Sequence, residues 1–160
     1  MPAMFDVKEL VKVAVQDEKS GVVFYTDAAA KTEDPDLKET FTTLAEQERS
    51  HQQQFEGMLA ELGDYKSPEG YSGEHSAYLT ALASDRAFPT EAAASEAITR
   101  CSGDRDILEL ALRIERDTLI LMEEMQKLVA ERNRDIVETL ANEERSHVVM
   151  LTAARDRLGE

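Results

Sequence analysis

The sequence predicts an all-α fold, a four-helix bundle built from two helical hairpins joined by a long crossover. Three observations carry this reading. Apolar residues recur at three-and-four spacing through four long stretches, the pattern of one buried helical face. Between the second and third stretches, Gly63, Pro68, Gly70, Gly73 and Pro89 punctuate the chain and the periodicity is lost. The nonapeptide TLAEQERSH at 43–51 returns as TLANEERSH at 139–147, identical at seven of nine positions, so the second hairpin reads as a duplicate of the first.

The first helix is expected over about residues 5–31, where Leu10, Val11, Ala14, Val15, Val22, Tyr25 and Ala29 share a face. Asp34-Pro35 is an N-cap followed by proline at the first helical position, so the second helix starts at 35. It carries Phe41, Leu44, Phe55, Met58 and Leu62 inward and ends at Gly63. The crossover fills 63–103, with one short alanine-rich helix at about 90–101. Ser102-Gly103-Asp104 breaks that helix and caps the next, about 104–130, whose inner stripe is Ile107, Leu108, Ala111, Ile114, Leu121, Met122 and Met125. A turn near Glu131 to Asn133 leads to the last helix, about 132–157, with Ile136, Leu140, Leu151 and Ala154 facing inward. Residues 1–160 are expected to form a single domain.

With 33 acidic residues against 18 basic ones, the net charge is −15 and there is no basic stripe to neutralise phosphates. No nucleic acid and no membrane is therefore expected as a partner. The apolar residues near the N-terminus are broken by Asp6, Lys8, Glu9 and Lys12, unlike those of a signal peptide, and no apolar run reaches bilayer length. Cys101, the single cysteine, makes no internal disulfide and suits a reducing compartment, so a cytoplasmic location is expected.

The repeat also carries the chemistry. Glu18 falls among Val11, Ala14, Val15, Val22 and Tyr25, and Glu115 among Leu108, Ala111, Leu119 and Met122, so both carboxylates are expected to be buried. Glu48 and His51, like Glu144 and His147, are three residues apart and project from one helical face. Four carboxylates in one core demand positive charge. Arg49, Arg116 and Arg145 each follow a candidate ligand directly and so point about 100° away. Metal ions answer the demand. One Glu from each of two helices and one Glu-x-x-His from each of the others is the donor set of a carboxylate-bridged dimetal site. Oxygen and imidazole donors favour iron or manganese over a thiolate-seeking metal, and two iron ions are expected, with manganese or a mixed pair also suited. Four carboxylates formally neutralise two divalent ions.

With these six residues in place, the sequence resembles the ferritin-like superfamily, and within it the erythrin (di-iron) domain of the rubrerythrins, over nearly the whole chain. Glu18 followed by Phe24-Tyr25, the segments Glu48/His51 and Glu144/His147, and Glu115 carry the resemblance. It implies that Glu48 and Glu144 bridge two irons, that Glu18 and Glu115 are terminal ligands, that each histidine caps one metal, and that Tyr25 stands beside the ligands as a catalytic proton donor. The implied activity is a di-iron oxidoreductase, a peroxidase or ferroxidase that reacts with peroxide or dioxygen in the response to oxidative stress. The alternative is a non-catalytic iron-handling, storage or sensing protein with the same site. Three features depart from the family pattern. There are no paired Cys-x-x-Cys motifs of a rubredoxin domain, which implies an external electron donor protein. Thr118 stands where the family has a further carboxylate, and Met122 where it has a tyrosine.

Other residues attract simpler readings. His75, in the crossover, has no second ligand at helical spacing and reads as a surface histidine; Cys101 has no neighbours that would make it a thiolate. Val23 and Phe24, with Leu119 and Ile120, widen the apolar arcs of two helices beyond what a four-helix core needs. A homodimer or larger assembly is expected, with Phe24 and Ile120 near the contact, and rubrerythrin-like proteins commonly associate.

Overall fold

The computed structural model describes residues 7–63 and 73–159, and of 73–75 the backbone alone. Six helices run α1 Val7–Lys31, α2 Pro35–Leu62, α3 Gly73–Ser84, α4 Glu91–Arg100, α5 Asp104–Leu128 and α6 Glu131–Leu158. There is no strand among the described residues. Helices α1/α2 and α5/α6 are the two hairpins of the bundle, as the repeat implies. None of the six is long and apolar enough to cross a membrane.

The helix ends follow local chemistry. Asp34 caps α2, its side chain accepting from the backbone N–H of Asp36 at 2.9 Å and of Leu37 at 3.1 Å, with Pro35 next in line. Gly63 ends α2 at a φ of +45°, where any side chain would be strained. Thr90 caps α4 through Ala93 N–H, at 3.1 Å. At the start of α5 the cap residue is Gly103, which has no side chain to offer, and Asp106 reaches back to accept from Ser102 N–H at 3.0 Å. The second hairpin turns at Val129 and Ala130, slightly ahead of the expected Glu131 to Asn133.

Three expectations are corrected. Gly73–Ser84 is a helix, where only irregular crossover was expected. Among its described side chains only Leu79 is buried, and one apolar anchor gives too weak a stripe to read from sequence. In α6 Leu140 and Leu151 are buried as expected, but the inward residue one turn earlier is Val137, fully buried, whereas Ile136 is 37% exposed, because the buried face extends to the side of Ala141, four residues after Val137. Phe24 makes no intermolecular surface: it is fully buried, stacked on Phe88 of the crossover at 5.4 Å between ring centroids. The expected N-terminal start near Phe5, the turn residues Pro68 and Gly70, and the side chain of His75 lie outside the described residues.

The crossover covers α1 because it is tied there by polar contacts as well as by Phe88. Ser20 Oγ donates to Phe88 O at 3.2 Å, and Ser95 Oγ to Asp27 Oδ2 at 2.6 Å. Lys31 Nζ donates to Ile98 O at 2.8 Å and Cys101 O at 2.6 Å, meeting carbonyls at the C-terminal end of α4. Arg86 pairs with Asp17 and also reaches Asp117 O at 3.4 Å, bridging α1 and α5. Cys101 is half-buried, and burial pushes its thiol up, so it is no thiolate.

The core is layered. One apolar cluster holds Leu10, Val11, Phe55, Leu121, Met125 and Leu140; the other holds Phe24, Phe41, Leu44, Leu108, Leu112 and Leu151. In each of the four long helices the predicted ligands fall between the residues of the two clusters. A polar layer thus lies sealed between two apolar ones.

Candidate metal centre

All six predicted ligands meet in that layer. Glu18, Glu48, His51, Glu115, Glu144 and His147 are each buried, none more than 5% exposed. They form two overlapping groups, Glu18/Glu48/His51/Glu144 and Glu48/Glu115/Glu144/His147, and within each group one ligand atom per residue lies within 4.8 Å of the others. Glu48 and Glu144 belong to both. The two imidazoles lie 5.6 Å apart, nearly parallel, one in each group.

The i, i+3 spacing in α2 and α6 aims each Glu-x-x-His pair at the same interior point. Both histidines turn Nδ1 inward. His51 Nδ1 lies 2.7 Å from Glu144 Oε1 and 3.7 Å from Glu18 Oε2; His147 Nδ1 lies 3.1 Å from Glu144 Oε2, 3.2 Å from Glu48 Oε1 and 3.5 Å from Glu115 Oε2. Both turn Nε2 outward, His51 to Glu143 Oε2 at 2.6 Å and His147 to Gln47 Oε1 at 2.7 Å.

Much of the cluster is unsatisfied by protein alone. Both oxygens of Glu18, Oε1 of Glu48, Oε1 of Glu144 and Nδ1 of His51 are buried without a hydrogen-bond partner, including the close pair His51 Nδ1 and Glu144 Oε1, whose angle makes no hydrogen bond. A core rarely leaves so many polar atoms orphaned, since each costs about 1–3 kcal/mol. Their lone pairs converge on shared space, which is what cations require. The arginines that follow the ligands, Arg49, Arg116 and Arg145, are exposed, as expected.

The protonation pattern expresses the same frustration. Burial, and then the charges of its carboxylate neighbours, pushes Glu18 well above the ordinary range, and Glu144 likewise. Burial draws His51 toward neutrality, but Glu144, Glu48 and Glu143 outweigh it and its pKa is pushed up to about 9; His147, among Glu115, Glu144 and Glu48, is pushed up to about 12. Burial also raises Glu115, but contacts with Glu144, His147 and Tyr25 prevail and hold it below the usual range. Without metal, protons do the neutralising.

A family model for rubrerythrin matches residues 9–155, nearly the whole chain. The chain belongs to the rubrerythrin family. The fold agrees: a Thermotoga maritima protein described as ferritin-like and diiron-carboxylate superimposes with a TM-score of 0.73 over 96% of each chain, at 24% identity. No curated protein matches the present chain. The carboxylate and histidine cluster is thus that of a rubrerythrin-family di-metal site, and the ligand chemistry fits such a centre on this structure's own orphaned atoms.

Other residues complete this rubrerythrin-family site. Tyr25, fully buried, donates its O–H to Glu115 Oε1. Burial, with the nearby Glu115 and Glu48 charges, pushes the phenol well above its ordinary value, so it keeps its proton. Thr118 and Met122 are buried on α5 and bring no carboxylate or phenol. Sequence reasoning missed three contributors. Gly21 is one helical turn beyond Glu18, where a Cβ would stand 2.9 Å from Glu48 Oε2. Gln47 and Glu143 immediately precede Glu48 and Glu144 and cross the bundle to the opposite histidine. The available signal for the last two was the repeat itself, since they occupy one of its two mismatched positions.

Proposed function

We propose that the protein is a di-iron oxidoreductase that reduces peroxide or dioxygen with electrons from a separate donor protein. The observation that carries the reading is the sealed layer of four carboxylates and two imidazoles with unpartnered atoms converging between two apolar clusters. Glu48 and Glu144 would bridge, Glu18 and His51 would complete one position, and Glu115 and His147 the other. When bound, the iron pair supplies Lewis acidity and the electrons for O–O reduction. The protein's part is to orient the donors, to exclude water with the apolar layers on either side, and to hold a proton at Tyr25 Oη beside Glu115. Peroxide plus two electrons and two protons yields two waters, and no cysteine pair is present to relay the electrons.

Stopped-flow mixing of the ferrous-loaded protein with peroxide tests this reading. Oxidation faster than that of free ferrous ion is expected; oxidation no faster overturns the enzyme. The second reading, non-catalytic iron handling, storage or sensing, is favoured by Thr118 and Met122, which leave the site without a further α5 carboxylate beside Glu115 and without a second phenol. Slow single-turnover oxidation combined with retained tight metal binding would select it.

A further inference from the structure

The repeat pairs the candidate ligands of the two hairpins but not what stands behind them. Gln47 and Glu143 occupy the same place in the duplicated nonapeptide, and each crosses to the histidine of the other half: Glu143 Oε2 stands 2.6 Å from His51 Nε2, Gln47 Oε1 2.7 Å from His147 Nε2. One histidine is therefore backed by a carboxylate and the other by a neutral amide. The same pairing of halves matches Tyr25 with Met122. Tyr25 donates to Glu115 and so draws charge from that carboxylate, whereas Met122 has no O–H to give, and both oxygens of Glu18 are without a partner.

We propose that the two metal positions are unequal, that Glu143 and Gln47 act as the positioning residues that make them so, and that the Glu18/His51 position is the tighter. This rests on the di-metal reading above. A carboxylate accepting from the outer N–H of an imidazole makes the inner nitrogen a stronger donor than an amide does, and such outer partners are worth about 10–100-fold in metal affinity. Glu143 is partly exposed, with a side chain 47% accessible, so solvent screens it and the low end of that range applies. The unpartnered Glu18 adds in the same direction: once metal displaces its proton, both of its oxygens are free to turn to that metal, while Glu115 Oε1 is held by Tyr25. Both differences favour one position.

Titration of the metal-free protein with cobalt(II), followed by d–d absorption and by calorimetry, tests the proposal without any turnover. The parent is expected to take up two ions in two resolved steps. Glu143→Gln should weaken the tight step about tenfold and leave the weak one, while Gln47→Glu should strengthen the weak step by a similar factor. Glu18→Ala should abolish the tight step and Glu115→Ala the weak one. Both outer substitutions are nearly isosteric, and circular dichroism checks that each variant is folded. Two ions bound with equal affinity, or a Glu143→Gln isotherm identical to the parent's or weakened equally in both steps, overturns the inequality alone. A parent that binds no cobalt overturns the di-metal reading itself.

Discussion

Gly21 is the space that Glu48 occupies: a Cβ on Gly21 would stand 2.9 Å from Glu48 Oε2, closer than such atoms approach. The far end of a glutamate is mobile, so Gly21→Ala should displace the carboxylate and leave the helix intact. Alanine is better than glycine inside a helix by about 0.8–1.0 kcal/mol. The metal-free variant should therefore melt at or slightly above the parent's temperature, while its cobalt affinity falls. Unchanged affinity would show that Glu48 needs no such room.

Removing a ligand should cost metal more than fold. Glu115→Ala should lower metal stoichiometry from two toward one, and it should also cost the metal-free protein some stability, because Tyr25 and His147 lose the buried carboxylate that faces them. Elemental analysis of the purified variant checks this. Stoichiometry that stays at two would remove Glu115 from the ligand set.

Metal should stabilise the whole bundle, since ions that bind only the folded state do so by mass action, by about 2.7 kcal/mol at a free concentration 100 times Kd. Scanning calorimetry in excess chelator and in excess ferrous ion should give clearly separated midpoints. Coincident midpoints would argue for a closed polar network without ions.

Stability of the metal-free protein should fall as pH rises. Glu18 and Glu144 keep protons in the folded state above 4.5, where the unfolded chain has released them, and His51 does the same from 6.5 to about 9. The folded state binds more protons over that window, so the slope of unfolding free energy with pH is negative. The His51 contribution is fully present below 6.5 and is lost as pH rises through about 9. Glu115 acts oppositely and only lower, its contribution being lost as pH falls below the ordinary carboxylate range. Melting temperatures without metal should decline from about pH 6 to 9, whereas metal affinity should rise over the same range because the ligands must shed protons to bind. A metal-free melting temperature that climbs with pH would contradict the protonation pattern.

A homodimer or larger assembly is expected in solution. Ile120 is 41% exposed and Tyr78 46%, and both line one shallow pocket beside the crossover. Ile120→Glu should shift the protein toward monomer. Light scattering of the parent that returned 17.9 kDa at micromolar concentration would reject association.

What the sequence determined by itself was the cluster of six candidate ligands and the bundle that presents it. Glu48 and His51 share a face because three residues make nearly one helical turn, a local property, and the duplicated nonapeptide repeats that fact at Glu144 and His147. The Asp34-Pro35 cap and the layering of apolar residues around Glu18 and Glu115 are equally local. The tertiary structure alone decided which nitrogen of each histidine faces the centre, that Gln47 meets His147 and Glu143 meets His51, that Gly21 makes room for Glu48, and that Phe88 rather than a second subunit covers Phe24. Each of these joins residues on different elements, far apart in sequence, and depends on the rotation of one helix against another. A shift of one position, like that which exchanges Ile136 for Val137 at the core, turns a side chain by about 100° and changes its partner while leaving the hydrophobic period almost unaltered.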